Sequence, residues 1–328
     1  MKTNFPIIHS LRGLTAIGIC LYHYICCTVG YIEGGVIFDS VHLLSNTVQI
    51  FFIISGMVIP ISMIIGNYQY KHFFTFLWKR TLRIEPPYIV SMVVGMLYLW
   101  VRNFVPGSAP VDLFPTGKEI LLHLGYLIPF FENQRWINPG YWTLAIEFQY
   151  YLSLALIFPL AMSSRWIWRF VFYSILLSIP FLYTNNDCFT GWGAYFLLGL
   201  IYILFYFKRV SLIEYIVVSI LASAATLMHH HWAILAIAWG TILLVYYFQD
   251  WENKFTHFFG NISYSFYLLH SVVGASIINF LSHRFTIWWE KPIVIAIGFL
   301  ASTVAAHFYF QWIEKPSMGW SKKIKYNK

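Results

Sequence analysis

The chain has 328 residues, of which 59% are hydrophobic, 20% aromatic and only 10% charged. A soluble globular domain carries about 25% charged residues, so most side chains here do not face water. The net charge of +8 does not point to nucleic acid, because no soluble domain is left to read bases, and an outer-membrane barrel is excluded because its short alternating segments are missing.

Apolar runs of near-spanning length recur from end to end, which predicts an all-α, polytopic membrane helix bundle. Ten spans are expected, at roughly 11–30, 45–65, 88–104, 143–161, 168–184, 190–207, 212–228, 232–249, 262–282 and 292–312. The segment Lys118–Phe131 is apolar but short and contains Pro129, so it reads as an interfacial or re-entrant helix in a long outer loop. With ten spans and both termini cytoplasmic, sixteen of the 21 lysines and arginines fall on the inner side, as the positive-inside rule requires. The start, MKTNFPIIHSLRG, lacks a small-residue cleavage site and is not read as a signal peptide. No linker composition or internal repeat divides the chain, so residues 1–328 are expected to form one domain. The basic tail from Ile313 to Lys328 is expected to lie against anionic lipid.

Four stretches carry ionisable or polar groups into this apolar background, where a charge at a helix centre costs about 2.5–3.5 kcal/mol on insertion scales. In SLRGLTAIGICLYHY, Arg12 and His23 are eleven residues apart. At 100° per residue they share one helix stripe and lie about 16 Å apart along the axis. In KHFFTFLWKRTLRIEPPY, Arg80 and Arg83 share a face at i,i+3, a fork suited to phosphate oxygens. Pro86 and Pro87 are expected to block a helix start before residue 88. In PGYWTLAIEFQYYL, Glu147 lies at a depth from the outer face similar to that of His23, and a Glu that orients a His is a familiar route to a general base. In GNISYSFYLLH, Ser263, Tyr267 and His270 form one polar stripe. Trp142, Tyr151, Ser263, Tyr267 and His270 are the candidate substrate-binding residues, and Trp136 and Tyr141 of the Val105–Tyr141 loop offer aromatic faces to a sugar. The cysteines Cys20, Cys26, Cys27 and Cys188 have no metal-ligand spacing, and the adjacent His229, His230 and His231 point in different directions, so no metal is expected.

Taken together, SLRGLTA with Leu21-Tyr22-His23, FFIISGMVI (51–59), KRTLRIEPPY (79–88), YWTLAIEFQYYL (141–152) and GNISYSFYLLH (260–270) resemble the integral-membrane acyltransferase 3 family, which includes bacterial O-antigen and exopolysaccharide O-acetyltransferases. The resemblance implies a multi-pass enzyme of the bacterial cytoplasmic (inner) membrane, in the stand-alone form without an added hydrolase domain. It implies acetyl-CoA, or another short acyl-CoA, as donor and a hydroxyl of an envelope or lipid-linked glycan as acceptor, with no metal. By that likeness Arg12, Arg80 and Arg83 bind the donor, and His23 is catalytic as general base or acyl carrier, assisted by Glu147. Two positions depart from the family pattern: Ser10-Leu11 replaces the usual acidic residue before the first Arg-Gly, and Phe148 stands where a second acidic residue is common. A polytopic glycan transporter or flippase is the competing reading.

Overall fold

The computed structural model describes residues 2–28, 31–104, 114–183 and 185–326. Residues 105–113 of the proposed sugar-binding loop and the last two residues of the first span therefore lie outside the described residues. All regular structure among the described residues is helical. The helices are α1 (Pro6–Cys26), α2 (Val36–His42), α3 (Val48–Ile65), α4 (Phe73–Arg102), α5 (Gly117–Leu124), α6 (Tyr141–Ala161), α7 (Trp166–Leu182), α8 (Gly193–Tyr206), α9 (Leu212–His229), α10 (Trp232–Tyr247), α11 (Lys254–Ser282), α12 (Glu290–Tyr309) and α13 (Lys315–Lys323). Short 3-10 turns join α2 to α3 and lead into α8, and a π-helical turn, Phe310–Glu314, joins α12 to α13.

Seven helical stretches among the described residues are long and apolar enough to cross a membrane: Val36–Ile65, Tyr70–Arg102, Tyr141–Ala161, Phe189–Tyr206, Leu212–His229, Lys254–Ser282 and Glu290–Lys323. The chain is a multi-pass membrane protein. The apolar helices α7 and α10, at 17 and 16 residues, lie at and just below the lower end of the about 17–25 residues that a span takes. The first helix has 21 residues but is not among the seven, since Ser10, Arg12, Thr15 and His23 interrupt its apolar surface. The segment near 118–131 forms α5 and a 3-10 turn at Ile128–Phe130. Eight residues rise only about 12 Å, so this piece does not cross a bilayer. The cap of α5 is explicit: Thr116 Oγ1 accepts from Glu119 N at 3.2 Å while Glu119 Oε2 accepts from Thr116 N at 2.8 Å.

The centre of the bundle is α8. Its Phe196, Leu197, Leu200, Ile201 and Ile203 are fully buried, and α3, α7, α9 and α10 pack around it. On the other side α11 packs between α1 and α12. Close approach of α1 and α11 depends on two small residues. A Cβ at Gly13 would lie 2.6 Å from the Gly260 nitrogen, and one at Gly260 would lie 2.6 Å from the His9 carbonyl oxygen.

One sequence expectation is corrected here. Pro86 and Pro87 do not delay the third span: they lie inside α4, which begins at Phe73. A proline removes a backbone N–H and so frees the carbonyl four residues earlier. Pro87 frees Arg83 O, and that oxygen accepts a hydrogen bond from Ser317 Oγ at 3.2 Å. Nearby, Ile84 O accepts from Tyr264 OH at 2.9 Å, and Pro87 O accepts from Tyr309 OH. A hydroxyl from another helix thus serves the carbonyl that Pro87 frees, which helps α4 tolerate the proline pair. The tail that the sequence presents as basic and lipid-facing also packs on protein. Helix α13 docks on α4 through Ser317 and through Ser321 Oγ, which donates to Lys79 O at 2.7 Å, and Tyr326 stacks on His72 with ring centroids 4.8 Å apart.

Gly260→Val forces the α1–α11 contact apart and is expected to destabilise the protein by about 1–3 kcal/mol. Thermal unfolding in detergent checks this, with Gly240→Ala, where a Cβ meets nothing within 4 Å, as the neutral control. Equal melting temperatures for Gly260→Val and wild type would show that the two helices do not pack this closely.

Candidate active site

Two adjoining cavities lie within the bundle. The larger, about 80 Å³, is lined by Arg12, Ser55, Arg80, Arg83, Glu147, Tyr151, Tyr264 and Glu314 among apolar neighbours. The smaller, about 40 Å³, is lined by Phe52, Thr143, Leu144, Ser263 and Tyr267. Arg12, Phe51, Glu147 and Tyr264 line both. Each is roomy enough for water. A third, open depression of about 450 Å³ is lined by Ser62, Gly66, Lys79, Arg80, Lys322, Lys325 and Tyr326. Arg80 is common to the open depression and the larger cavity, so one side chain stands between the outside and the interior.

Helix α4 delivers Arg80 and Arg83 to the larger cavity from adjacent turns, as the i,i+3 spacing predicts. Arg80 is buried. Its Nη2 donates to Ser62 Oγ at 2.5 Å, and its guanidinium carbon lies 5.4 Å and 5.6 Å from the ring centroids of Phe76 and Tyr151. Its Nε has no partner. Three guanidinium groups share the cavity with two carboxylates, yet none of the ion pairs among the described residues joins them. The carboxylates are engaged by hydroxyls instead. Glu147 Oε1 accepts from Ser55 Oγ at 2.9 Å and from Tyr151 OH. Glu314 Oε2 accepts from Ser265 Oγ at 2.6 Å and from Ser265 N at 3.1 Å. The arginine N–H groups are left for an anionic ligand.

Glu314 was not found by sequence reasoning, which assigned it to a surface tail. It is buried and closes the π-helical turn between α12 and α13. Such turns gather at functional sites because the extra residue re-aims one side chain. The signal available in the sequence was an isolated carboxylate ending a long apolar run, directly before Lys315-Pro316.

His23 sits apart from the arginines, beside His270. Their ring centroids are 5.0 Å apart, and His23 Nδ1 lies 3.4 Å from His270 Nε2. The network fixes the tautomers. His270 Nδ1 lies 2.8 Å from Tyr267 O, a pure acceptor, so Nδ1 carries the proton. In a neutral His270, Nε2 is then the acceptor and His23 Nδ1–H the donor, which leaves the lone pair of His23 on Nε2. Tyr24 fixes this level of the bundle by donating to His270 O at 2.9 Å and pairing with Ser302 Oγ at 2.6 Å.

The structure therefore separates two groups that the sequence reading put together. Glu147 does not meet His23: it shares its cavities with Arg12, and its hydrogen bonds run to Ser55 and Tyr151. Depth counted from helix ends misled because equal depth does not decide which faces of two helices look at each other. Tyr267 lines the smaller cavity, donates to Gly140 O at 3.0 Å and pairs with Thr143 Oγ1 at 2.8 Å. Ser263 lines the same cavity and donates to Gly260 O at 2.9 Å. Trp142 packs edge-on against Phe52 and lines neither cavity. Tyr141 is buried against Ser91 Oγ at 2.7 Å and offers no open face to a sugar.

In 15N-histidine NMR of the wild type, His23 should show a protonated Nδ1 and an unprotonated Nε2, and His270→Phe should abolish this preference. A protonated Nε2 on His23 in the wild type would contradict the assigned relay.

No curated protein and no solved structure matches the chain. A family model described as an acyltransferase domain matches residues 5–312, nearly the whole length, so the chain that holds these arginines and this histidine pair belongs to the acyltransferase 3 family.

Proposed function

We propose that the protein is a ten-span enzyme of the bacterial cytoplasmic membrane with both ends inside, and that it moves an acetyl or other short acyl group from cytoplasmic acyl-CoA to a hydroxyl of an envelope or lipid-linked glycan. The observation that carries the reading is the set of three guanidinium groups, unpaired with carboxylates, around one interior cavity. A buried cationic site suits a donor with several phosphates. The open depression with Lys79, Lys322 and Lys325 beside Arg80 suits the nucleotide end. The positive-inside bias of the sequence supports a cytoplasmic position for that depression.

The chemistry then follows from the helix stripe. Arg12 and His23 are eleven residues apart on α1, about 16 Å along the axis, a span the pantetheine arm can cover. The cavities are smaller than that arm, so side chains that line them must move for entry. With its Nε2 lone pair free, His23 takes the proton of the acceptor hydroxyl as the hydroxyl oxygen attacks the thioester carbonyl. The carbon–oxygen bond forms, the carbon–sulfur bond breaks, and the imidazolium returns the proton to the departing thiolate. The hydrogen bond from His23 Nδ1–H to His270 spreads the positive charge that His23 holds in between. Glu147 and Glu314 share the cavity with the arginines in this scheme and do not act as the partner of His23. Coenzyme A need not cross the membrane, since donor and acceptor approach one histidine from opposite sides.

Purified protein in lipid nanodiscs with labelled acetyl-CoA tests the scheme. His23→Ala is expected to lower acyl transfer by about 10²–10⁴-fold, the usual worth of a positioned base, with the protein still folded. Near-normal transfer by that variant would remove His23 from the chemistry. Arg83→Ala is expected to raise the donor KM about tenfold or more, as loss of charge-assisted hydrogen bonds worth about 1.5–3 kcal/mol implies, and to leave the acceptor KM nearly unchanged. An unchanged donor KM would assign Arg83 to membrane orientation alone.

A further inference from the structure

At the end of the α1–α11 pair opposite His23 and His270, a second cluster joins the same two helices. His9 of α1 lies with its Nδ1 2.6 Å from Glu252 Oε1, and His257 of α11 lies with its Nδ1 3.1 Å from Glu252 Oε2. The two imidazole rings are 5.2 Å apart. One ligand atom from each of the three residues lies within 4.8 Å of the others. We infer that His9, Glu252 and His257 form a binding site for a divalent transition-metal ion of the zinc type, which clips α1 to α11.

The donor set selects the ion. Two imidazoles and one carboxylate suit zinc and its neighbours, whereas magnesium and calcium require oxygen ligands. Three protein ligands leave a fourth position for water, and His257 is exposed, so water has access. Ligand bonds of about 2.0–2.2 Å to a tetrahedral zinc ion ask the His9 and Glu252 side chains to open slightly from their present 2.6 Å contact. Partial burial alone would raise the Glu252 carboxyl, but the hydrogen bonds from both histidines outweigh it and hold the group below its usual range.

The backbone that carries the three ligands is already tied together. Ser10 Oγ lies 2.9 Å from Thr256 Oγ1 and 3.2 Å from Trp251 O, and Asn253 Oδ1 caps α11 by accepting from Thr256 N at 2.9 Å. Gly260 provides room for the His9 ring, since a Cβ there would lie 2.6 Å from its Nδ1. His9 precedes His23 by fourteen residues and His257 precedes His270 by thirteen, about 20 Å at 1.5 Å per residue. The metal cluster and the His23–His270 pair are thus two rungs between the same parallel helices, and an ion at one rung sets the register at the other.

The test uses full-length protein carrying no polyhistidine tag, titrated in detergent with cobalt, read by visible absorption, and with zinc, read by calorimetry and thermal unfolding. One ion per chain is expected, with the spectrum of a four-coordinate nitrogen–oxygen site. Glu252→Gln and His257→Gln are each expected to weaken zinc binding by at least about tenfold and to abolish the zinc-dependent rise in melting temperature. His257 is exposed, so its variant keeps the fold. Absence of uptake at micromolar zinc would overturn the inference, as would zinc binding that survives both substitutions unchanged.

Discussion

Three guanidinium groups held without carboxylate partners inside an apolar bundle are the constraint around which the rest of this structure is arranged. Placing even one arginine at the centre of a membrane helix costs about 2.5–3.5 kcal/mol on insertion scales. Arg80 recovers part of that through Ser62 and the faces of Phe76 and Tyr151. The two carboxylates in the cavity could have neutralised the arginines directly. They bond to Ser55, Tyr151 and Ser265 instead, which keeps them a step away from the guanidinium groups. A site built for stability alone would pair these charges. Leaving them apart preserves N–H groups for a ligand that brings negative charge of its own.

The same economy governs the backbone of α4. Two consecutive prolines open its ladder where Arg83 begins its turn, and the freed carbonyl is taken by Ser317 of α13. The C-terminal helix is therefore part of the arginine site's frame. Its Lys322 and the following Lys325 also line the open depression that Arg80 shares with the interior cavity. Approach to the site and the shape of the site are thus set by one short segment that the sequence alone presents as a basic tail.

Much of this was legible in the sequence where the signal was a periodicity. The i,i+3 pair Arg80 and Arg83 and the stripe of Ser263, Tyr267 and His270 follow from helical geometry; the structure brings Arg80 and Arg83 to one cavity and Ser263 and Tyr267 to the other, while His270 turns to His23. The family was readable because five stretches occur in order. What could not be read was contact between helices. His23 has two partners consistent with its sequence position, Glu147 and His270, and only packing of α1 against α11 selects His270. Glu314 escaped for the same reason: its role depends on a π-helical turn and on Ser265, 49 residues earlier in the chain. The proline pair misled because a rule about isolated helices does not know that Ser317 stands ready to serve the carbonyl that Pro87 frees.

The most direct measurement is an experimental density map of the protein in a lipid nanodisc with acetyl-CoA bound. Phosphate density against Arg80 and Arg83, with the pantetheine arm running past Arg12 and the thioester carbon ending within reach of His23 Nε2, is the predicted result. Donor density at any other surface, or a map in which Arg12 and Arg83 turn to form ion pairs with Glu147 and Glu314 while the donor is bound, would contradict the account.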